Sequence, residues 1–385
     1  MKSERRSFWP VVVTALSAAL FVLLFLYLEH EWEIALLAVG LVAVLFCSAR
    51  FGLLARVETA ASDHPRTTIL VNVVSALLVI VFLREEHFAL LMLATVFLYI
   101  TICLGLTLQF GYAGIVNFAG IAFFGIGSYT AAVLAVHSPL PHLLVILVSG
   151  LVAGLIGSLL ILPMLRTRGH YAALVTIAFG ILFRTFLEVN DLLGGPQGLK
   201  VPGMQLFGWS LNDNISLGPL GMISFYASYA VISLLLAAGA YTLIKRLERS
   251  WLGLNLDAVR TDETAAASFG IDLPRWKIFA FTAGNCLAGV AGGVYAMMSG
   301  FIAPASFNFG DSLLLVSIVL LGGSGNPLGV LPAALLVVVL PEKLQIIQEY
   351  RLLLFAVLVI LILRFRPEGL LPRRIREYYA GWGRS

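Results

Sequence analysis

Residues 88–137 read FALLMLATVFLYITICLGLTLQFGYAGIVNFAGIAFFGIGSYTAAVLAVH, and this stretch decides the fold. It holds two apolar runs, 88–108 and 117–137, separated by Gly111-Tyr112-Ala113-Gly114, and no Asp, Glu, Lys or Arg interrupts it. A helix needs about 20 mainly apolar residues to cross the hydrocarbon layer of a bilayer. Each run therefore predicts one crossing, and the glycine-rich link between them predicts a break close to the membrane.

The same ruler applied outward gives further runs at 8–28, 34–52, 67–83, 143–163, 171–189, 222–244, 276–299, 312–340 and 350–364. The run 312–340 is interrupted by Gly322-Gly323-Ser324-Gly325-Asn326-Pro327, which predicts two shorter pieces that break or re-enter. The expected fold is all-α: a polytopic transmembrane helical bundle of about ten to twelve spans, with re-entrant or broken helices in the core. Composition agrees. Of 385 residues 60% are hydrophobic and only 12% charged, and the mean hydropathy is +0.96, whereas soluble domains carry roughly 25% charged residues.

The net charge of +4 sits at the ends of apolar runs, not on one face, so it argues for membrane orientation and against nucleic-acid binding. Basic clusters fall at 2–6, at Arg50, Arg56 and Arg66, at Arg166 and Arg168, at Lys245, Arg246 and Arg249 with Arg260, Arg275 and Lys277, and at 364–376. The connections between them, 29–33, 138–141, 190–221 and 301–310, are acidic, neutral or sparsely basic. That alternation predicts a multi-pass membrane protein with the basic set, and both termini, in the cytoplasm. The run after Arg5 and Arg6 is too long for a signal peptide and reads as a retained first span. Cys47, Cys103 and Cys286 lie scattered in apolar stretches, without metal or disulfide spacing.

One cytoplasmic connection has internal order. Leu254 to Phe269 reads as a single short helix, with Gly270 free to adopt a left-handed C-terminal cap, Ile271 folding back on it and Pro274 preventing continuation. Its interior, Glu263-Thr264-Ala265-Ala266-Ala267, is small and suits close docking against another protein, fringed by Asp257, Arg260, Asp262 and Glu263. A solvated helix that merely connects two spans has the same spacing.

The run from Arg260 to Ile271, with Glu263, Ala266 and Gly270 at its fixed positions, resembles the Glu-Ala-Ala…Gly cytoplasmic motif of ABC importer permeases. More specifically it is similar to the branched-chain amino acid permeases of the LivM type and their urea-transport relatives. Five further segments resemble that family in order: Gly111–Gly114 with Phe123–Tyr129, Leu165–Thr176, Gly194–Leu199, Lys277–Ala296, and Gly322–Gly325 with Arg364–Leu370. Thr264 and Ser128 stand where alanine is usual, and Pro332 where glycine is usual.

The resemblance implies a permease subunit of an ATP-driven importer for branched-chain amino acids, with urea or a short amide as the rival cargo. It implies a core over 88–373, accessory helices over 1–87 and a cytoplasmic tail over 374–385. It makes the segment within 253–275 the coupling helix, with Arg260, Glu263, Ala266 and Gly270 meeting an ATPase. The implied partners are a second, LivH-like permease, two ATP-binding subunits and an extracytoplasmic solute-binding protein. No cofactor is expected on this chain, because ATP and magnesium would be used by the partner subunits.

Within the membrane, polar residues are few: Asn117, Thr176, Arg184, Glu188 and Asn285. Asn117 and Asn285 are expected to bond neighbouring helices, and Arg184 with Glu188 to pair four apart on one face. Gly150-x3-Gly154 and Gly289-x3-Gly293 are expected to pack helices. Gly111, Gly114, Gly322, Gly323 and Gly325 sit among turn formers; with Asn117, Gly127 and Thr176 they are candidates to line a pathway, simple turns at the membrane edge being the alternative. No enzyme emerges. None of Lys2, Lys200, Lys245, Lys277 and Lys343 ends a GxxxxGK[ST] phosphate loop, and no HExxH or GxSxG occurs. An ion-coupled secondary transporter would place unpaired carboxylates or histidines deep in the membrane, which this chain does not do convincingly.

Overall fold

The computed structural model describes residues 9–28, 65–165, 171–206, 208–216 and 222–343, with single positions between 30 and 40 and between 350 and 373. The expected spans 34–52 and 350–364 fall mostly outside the described residues, and the tail 374–385 wholly so. Among the described residues eight helices are long and apolar enough to cross a membrane.

The protein is an all-α multi-pass bundle. Its helices are α1 (Trp9–Tyr27), α2 (Pro65–Phe82), α3 (His87–Thr107), α4 (Gly120–His137), α5 (His142–Leu165), α6 (Tyr171–Val189), α7 (Phe225–Glu248), α8 (Trp251–Thr261), α9 (Glu263–Ser268), α10 (Leu273–Ser299), α11 (Phe309–Gly322) and α12 (Pro327–Lys343). Helix α10 is the hub and packs against α3, α4 and α5; α3 in turn packs against α7.

Small residues make that hub possible. Lipid tails are as apolar as leucine, so helices in a bilayer gain little by burying apolar faces and associate through close backbone packing. A Cβ on Gly127 of α4 would strike the backbone of Gly289 in α10, and one on Gly292 would strike the backbone at Phe124. Ser128 donates to the Gly292 carbonyl at 2.9 Å across the same contact. Gly289 also meets Ser149 and Ala153 of α5, while Gly150 and Gly154 of α5 meet Val290 and Cys286. Both GxxxG pairs thus pack helices, as their spacing predicts, and Gly127 packs in the same close manner.

Helix α3 does not stop at residue 108 but continues through a π-helical turn, Leu108–Tyr112. The chain then runs irregularly until α4 begins at Gly120. The expected break in 312–340 is also present. Helix α11 ends at Gly322, Gly323 and Gly325 take φ values of +110° and +100°, and α12 starts at Pro327.

The connections after α6 and α10 carry short two-stranded pairs. Strand β1 (Leu199–Lys200) pairs antiparallel with β6 (Phe301–Ile302), which ties the connection 190–221 to the one after α10. Strands β2 (Gln205–Leu206) and β3 (Trp209–Ser210) form one hairpin, and β4 (Ile215–Ser216) pairs with β5 (Met222–Ile223). The Tyr229 hydroxyl of α7 accepts from Met204 N at 2.9 Å and lies 2.5 Å from Asn212 Oδ1, fixing this cover to the bundle. Arg184 and Glu188 pair at 2.8 Å along α6 with both side chains half-exposed, the structural role expected for them.

Gly127→Val should destabilise the purified protein by about 1–3 kcal/mol through overpacking against α10. Gly180→Ala, on α6 with nothing near its missing Cβ, should be neutral or stabilise by up to about 1 kcal/mol. Thermal unfolding in detergent checks the pair; equal effects at both positions would contradict the close α4–α10 packing.

Candidate functional site

The connection between α7 and α10 is two helices, where the sequence suggested one. Asp262 causes the break. Its backbone is extended, at φ −155° and ψ +108°, and its carboxylate accepts from Thr264 N at 2.8 Å and Ala265 N at 3.0 Å. An N-cap of this kind ends α8 and starts α9. Gly253 accordingly lies inside α8 and does not precede it. The other end is as expected: Gly270 sits at φ +80°, Ile271 N donates to Ala266 O at 3.1 Å, and Gly270 N donates to Ala267 O at 3.0 Å. These two bonds define a Schellman cap.

In α9 only Ala266 is buried. Glu263, Thr264, Ala267 and Ser268 face solvent, and Phe269 is 85% exposed. Glu263 is held by Lys277 of α10 at 2.7 Å. An exposed phenylalanine at the tip of a small-residue helix is an unsatisfied apolar surface. The Trp251 and Trp276 rings, 5.4 Å apart and edge to face, brace the base of the helix pair.

The four charges expected to fringe that surface divide. Glu263 and Asp262 stay at the surface, Asp257 turns into the protein, and Arg260, itself exposed, reaches inward with its guanidinium. Asp257 pairs with Arg373 at 2.6 Å, with side chains only 12% and 6% exposed. Arg373 Nη1 also donates to the Gly111 carbonyl at 2.9 Å, and its guanidinium lies 3.7 Å above the Tyr112 ring. Arg260 Nη1 donates to the same Gly111 carbonyl. Burial, and next the Arg373 guanidinium beside it, pull the Arg260 pKa down from the ordinary arginine value, while Asp257 and Tyr112 act to raise it. It remains a cation at neutral pH.

This node joins segments far apart in sequence. A Cβ on Gly111 would collide with Gly325, and one on Gly325 would press on Arg373 and Gly111. Leu370 N and Leu371 N donate to the carbonyls of Leu321 and Gly322 at 2.8 and 3.2 Å, satisfying acceptors that the end of α11 leaves open. The structure therefore brings Gly111, Gly114, Gly323, Gly325 and Arg260 to one place. Gly114, at φ +67°, has the Arg260 side chain as its nearest neighbour. Gly322 packs instead against Gly329 of α12.

Asn117 and Thr176 belong to a second, deeper group. Asn117 Nδ2 donates to Gln109 Oε1 at 2.8 Å and lies 3.2 Å from Asn285 Oδ1. Gln109 Nε2 donates to Asn285 Oδ1 at 3.0 Å and to the Phe281 carbonyl at 3.0 Å. All three amides are buried. Thr176 Oγ1 accepts from Phe118 N at 3.1 Å and so fastens α6 to the irregular link. The residues that sequence reasoning missed are Gln109, Tyr112 and the Asp257–Arg373 pair. Gln109 could have been noticed as the only amide in the run 88–112; nothing local signals that residues 116 positions apart form an ion pair.

Comparison with known proteins places this geometry in context. Residues 88–363 match the family described as branched-chain amino acid transport system / permease component. The chain is 36% identical over 291 residues to the high-affinity branched-chain amino acid transport system permease protein LivM of Escherichia coli strain K12, covering 71% of this chain and 68% of that one. It is 26% identical over 326 residues to the probable LivM permease of Methanocaldococcus jannaschii, covering 72% and 91%. It also matches the probable LivH permease of that organism, at 29% over 231 residues, covering 57% and 68%. No solved structure matches.

Arg373→Met should leave Asp257 buried without a partner, at a cost of about 3–5 kcal/mol. Hydrogen exchange across 251–268 should accelerate, because α8 loses its hold on the bundle. Unchanged protection there would show that the ion pair does not anchor the helix pair.

Proposed function

The chain belongs to the branched-chain amino acid transport system permease family, and from that premise we propose that it is the membrane-spanning permease subunit of an ATP-binding-cassette importer for branched-chain amino acids. It is a transport subunit and not an enzyme; ATP hydrolysis falls to separate subunits. The observation that carries the reading is the helix pair α8–α9. It is tied to the bundle through Gly111, Arg260, Asp257 and Arg373, yet offers an open face of small residues tipped by Phe269.

Such an element can transmit force. Closure of two ATP-binding subunits around α9 would be felt by the turns at Gly111 and at Gly323–Gly325, because α8 is hydrogen-bonded to the first and packed through it against the second. ATP must bind the two conformations differently to shift their balance, and a docked helix is where that difference enters. Opposite this element, a solute-binding protein would deliver cargo to the cover formed by 190–216 and the β1–β6 pair. Relatives of both LivM and LivH type match this chain, which supports a sister permease of the LivH type as its partner across the bundle.

In this reading the protein resides in a bacterial inner membrane with ten to twelve crossings and its basic connections in the cytoplasm. Residues 1–87 supply accessory helices, and 88–373 the permease core. Glu263, Ala266 and Gly270 shape the docking element. Arg260 supports it from the membrane side, and the pathway is gated where the backbone is irregular, at 111–119 and 322–325.

Gly270→Pro cannot keep φ at +80° and should reduce ATP-dependent leucine uptake in proteoliposomes holding the full assembly, as should Glu263→Arg. A loss of roughly 5–150-fold matches a coupling free energy of 1–3 kcal/mol. Gly270→Asn, which tolerates the left-handed region, should retain most of the uptake. Normal transport by both Glu263→Arg and Gly270→Pro, with the protein inserted, would sink the docking role.

A further inference from the structure

The buried amides of Gln109, Asn117 and Asn285 form one network with hydrogen-bonding capacity to spare. Asn285 Nδ2 is buried and has no hydrogen-bond partner. A buried donor left unmade is costly, and this one lies against Gly157 of α5, which has no side chain to meet it. The amides also sit where backbone order fails: Gln109 lies in the π-helical turn, and Asn117 lies in the irregular link, where its Oδ1 accepts from Ala119 N at 2.8 Å. π-turns inside helices recur at functional positions.

Against the amides stands an aromatic layer on the same elements. Phe281 of α10 is one turn from Asn285, and its carbonyl takes the Gln109 amide. Its ring meets Phe123 of α4 edge to face at 5.9 Å. Phe123 stacks on Phe179 of α6 at 5.3 Å, and Phe179 lies one turn beyond Thr176. Three elements, α4 with its preceding link, α6 and α10, thus contribute one polar and one aromatic member each. No charged side chain takes part in either layer.

We propose that this layer is the station a neutral amino acid crosses midway, and that it selects for the zwitterion. When α6 and the link 113–119 move away from α10, the amide N–H groups would be free to receive the carboxylate. The amide oxygens and ring faces would receive the ammonium, and the phenylalanines the branched side chain. Neutral amides can serve both charged ends without a fixed charge that would trap one of them. Closed, as here, the same groups bond one another and seal the path. The inference rests on the permease reading above and adds to it the place and chemistry of the cargo contact.

The direct test is photolabelling. The full assembly in proteoliposomes is given a diazirine analogue of leucine, illuminated during ATP turnover, and the adducts are mapped by mass spectrometry. Labels should fall within 117–123, 176–183 and 281–285 and vanish without ATP. Adducts confined elsewhere in the bundle, in vesicles that take up the analogue normally, would overturn the station and leave the permease reading standing. Absence of ATP-dependent uptake by the wild-type assembly would overturn both.

Asn285→Leu gives a second arm with little damage to the fold. Gln109 Nε2 keeps the Phe281 carbonyl and Asn117 Nδ2 keeps Gln109 Oε1. Maximal uptake should fall about tenfold, equivalent to 1.4 kcal/mol in the barrier, while the concentration of loaded binding protein at half-maximal rate and the thermal midpoint stay near wild type. Wild-type uptake by this variant, or a loss of uptake matched by a loss of thermal stability, would assign the amides a merely structural part.

Discussion

The carbonyl of Gly111 is the point on which the helix pair α8–α9 and its surroundings turn. It belongs to a π-helical turn at the end of α3, where an ordinary helix would leave its last acceptors open. In a bilayer such acceptors must be satisfied by protein. Here two arginines do so, Arg260 from α8 and Arg373 from the far end of the chain. Gly111 has no side chain because Gly325 occupies that space. One unsatisfied backbone group thus gathers the helix pair, the α11–α12 turn and the segment after residue 369 into a single mechanical unit.

The bundle above that node is built by a different rule. Between α4, α10 and α5 the contacts are backbone on backbone, with Gly127, Gly289 and Gly292 on one side and Gly150 and Gly154 on the other. Close packing of this kind gives a rigid hub. The irregular segments 113–119 and 323–326 lie at its edges, and the buried amides lie where α3, α4 and α10 meet. Rigid helices joined through irregular turns are the anatomy expected of a bundle that rocks between two states instead of deforming continuously.

Much of this was legible in the sequence because bilayer physics writes in long, plain units. The span lengths, the break at 322–327, the packing role of the GxxxG pairs and the left-handed cap at Gly270 each follow from a local pattern with one physical cause. The reading failed where the cause is not local. Asp262 ends one helix and begins another, yet an aspartate three residues before an alanine run is compatible with either reading. Asp257 and Arg260 looked like surface charges because nothing near them in sequence reveals that Arg373 and Gly111 receive them. Gln109 was hidden by its apolar neighbours, although a lone amide in such a run is costly unless it has partners.

In the proposed reading, energy enters this bundle from ATP-binding subunits through α8–α9, and not from an ion gradient. Uptake of labelled leucine into proteoliposomes containing the chain, its sister permease, the ATP-binding subunits and the binding protein tests it most directly. With ATP supplied at the nucleotide-binding face and all ion gradients collapsed by ionophores, uptake should proceed at its full rate. Uptake that stops when the gradients are collapsed, while ATP persists, would contradict the account.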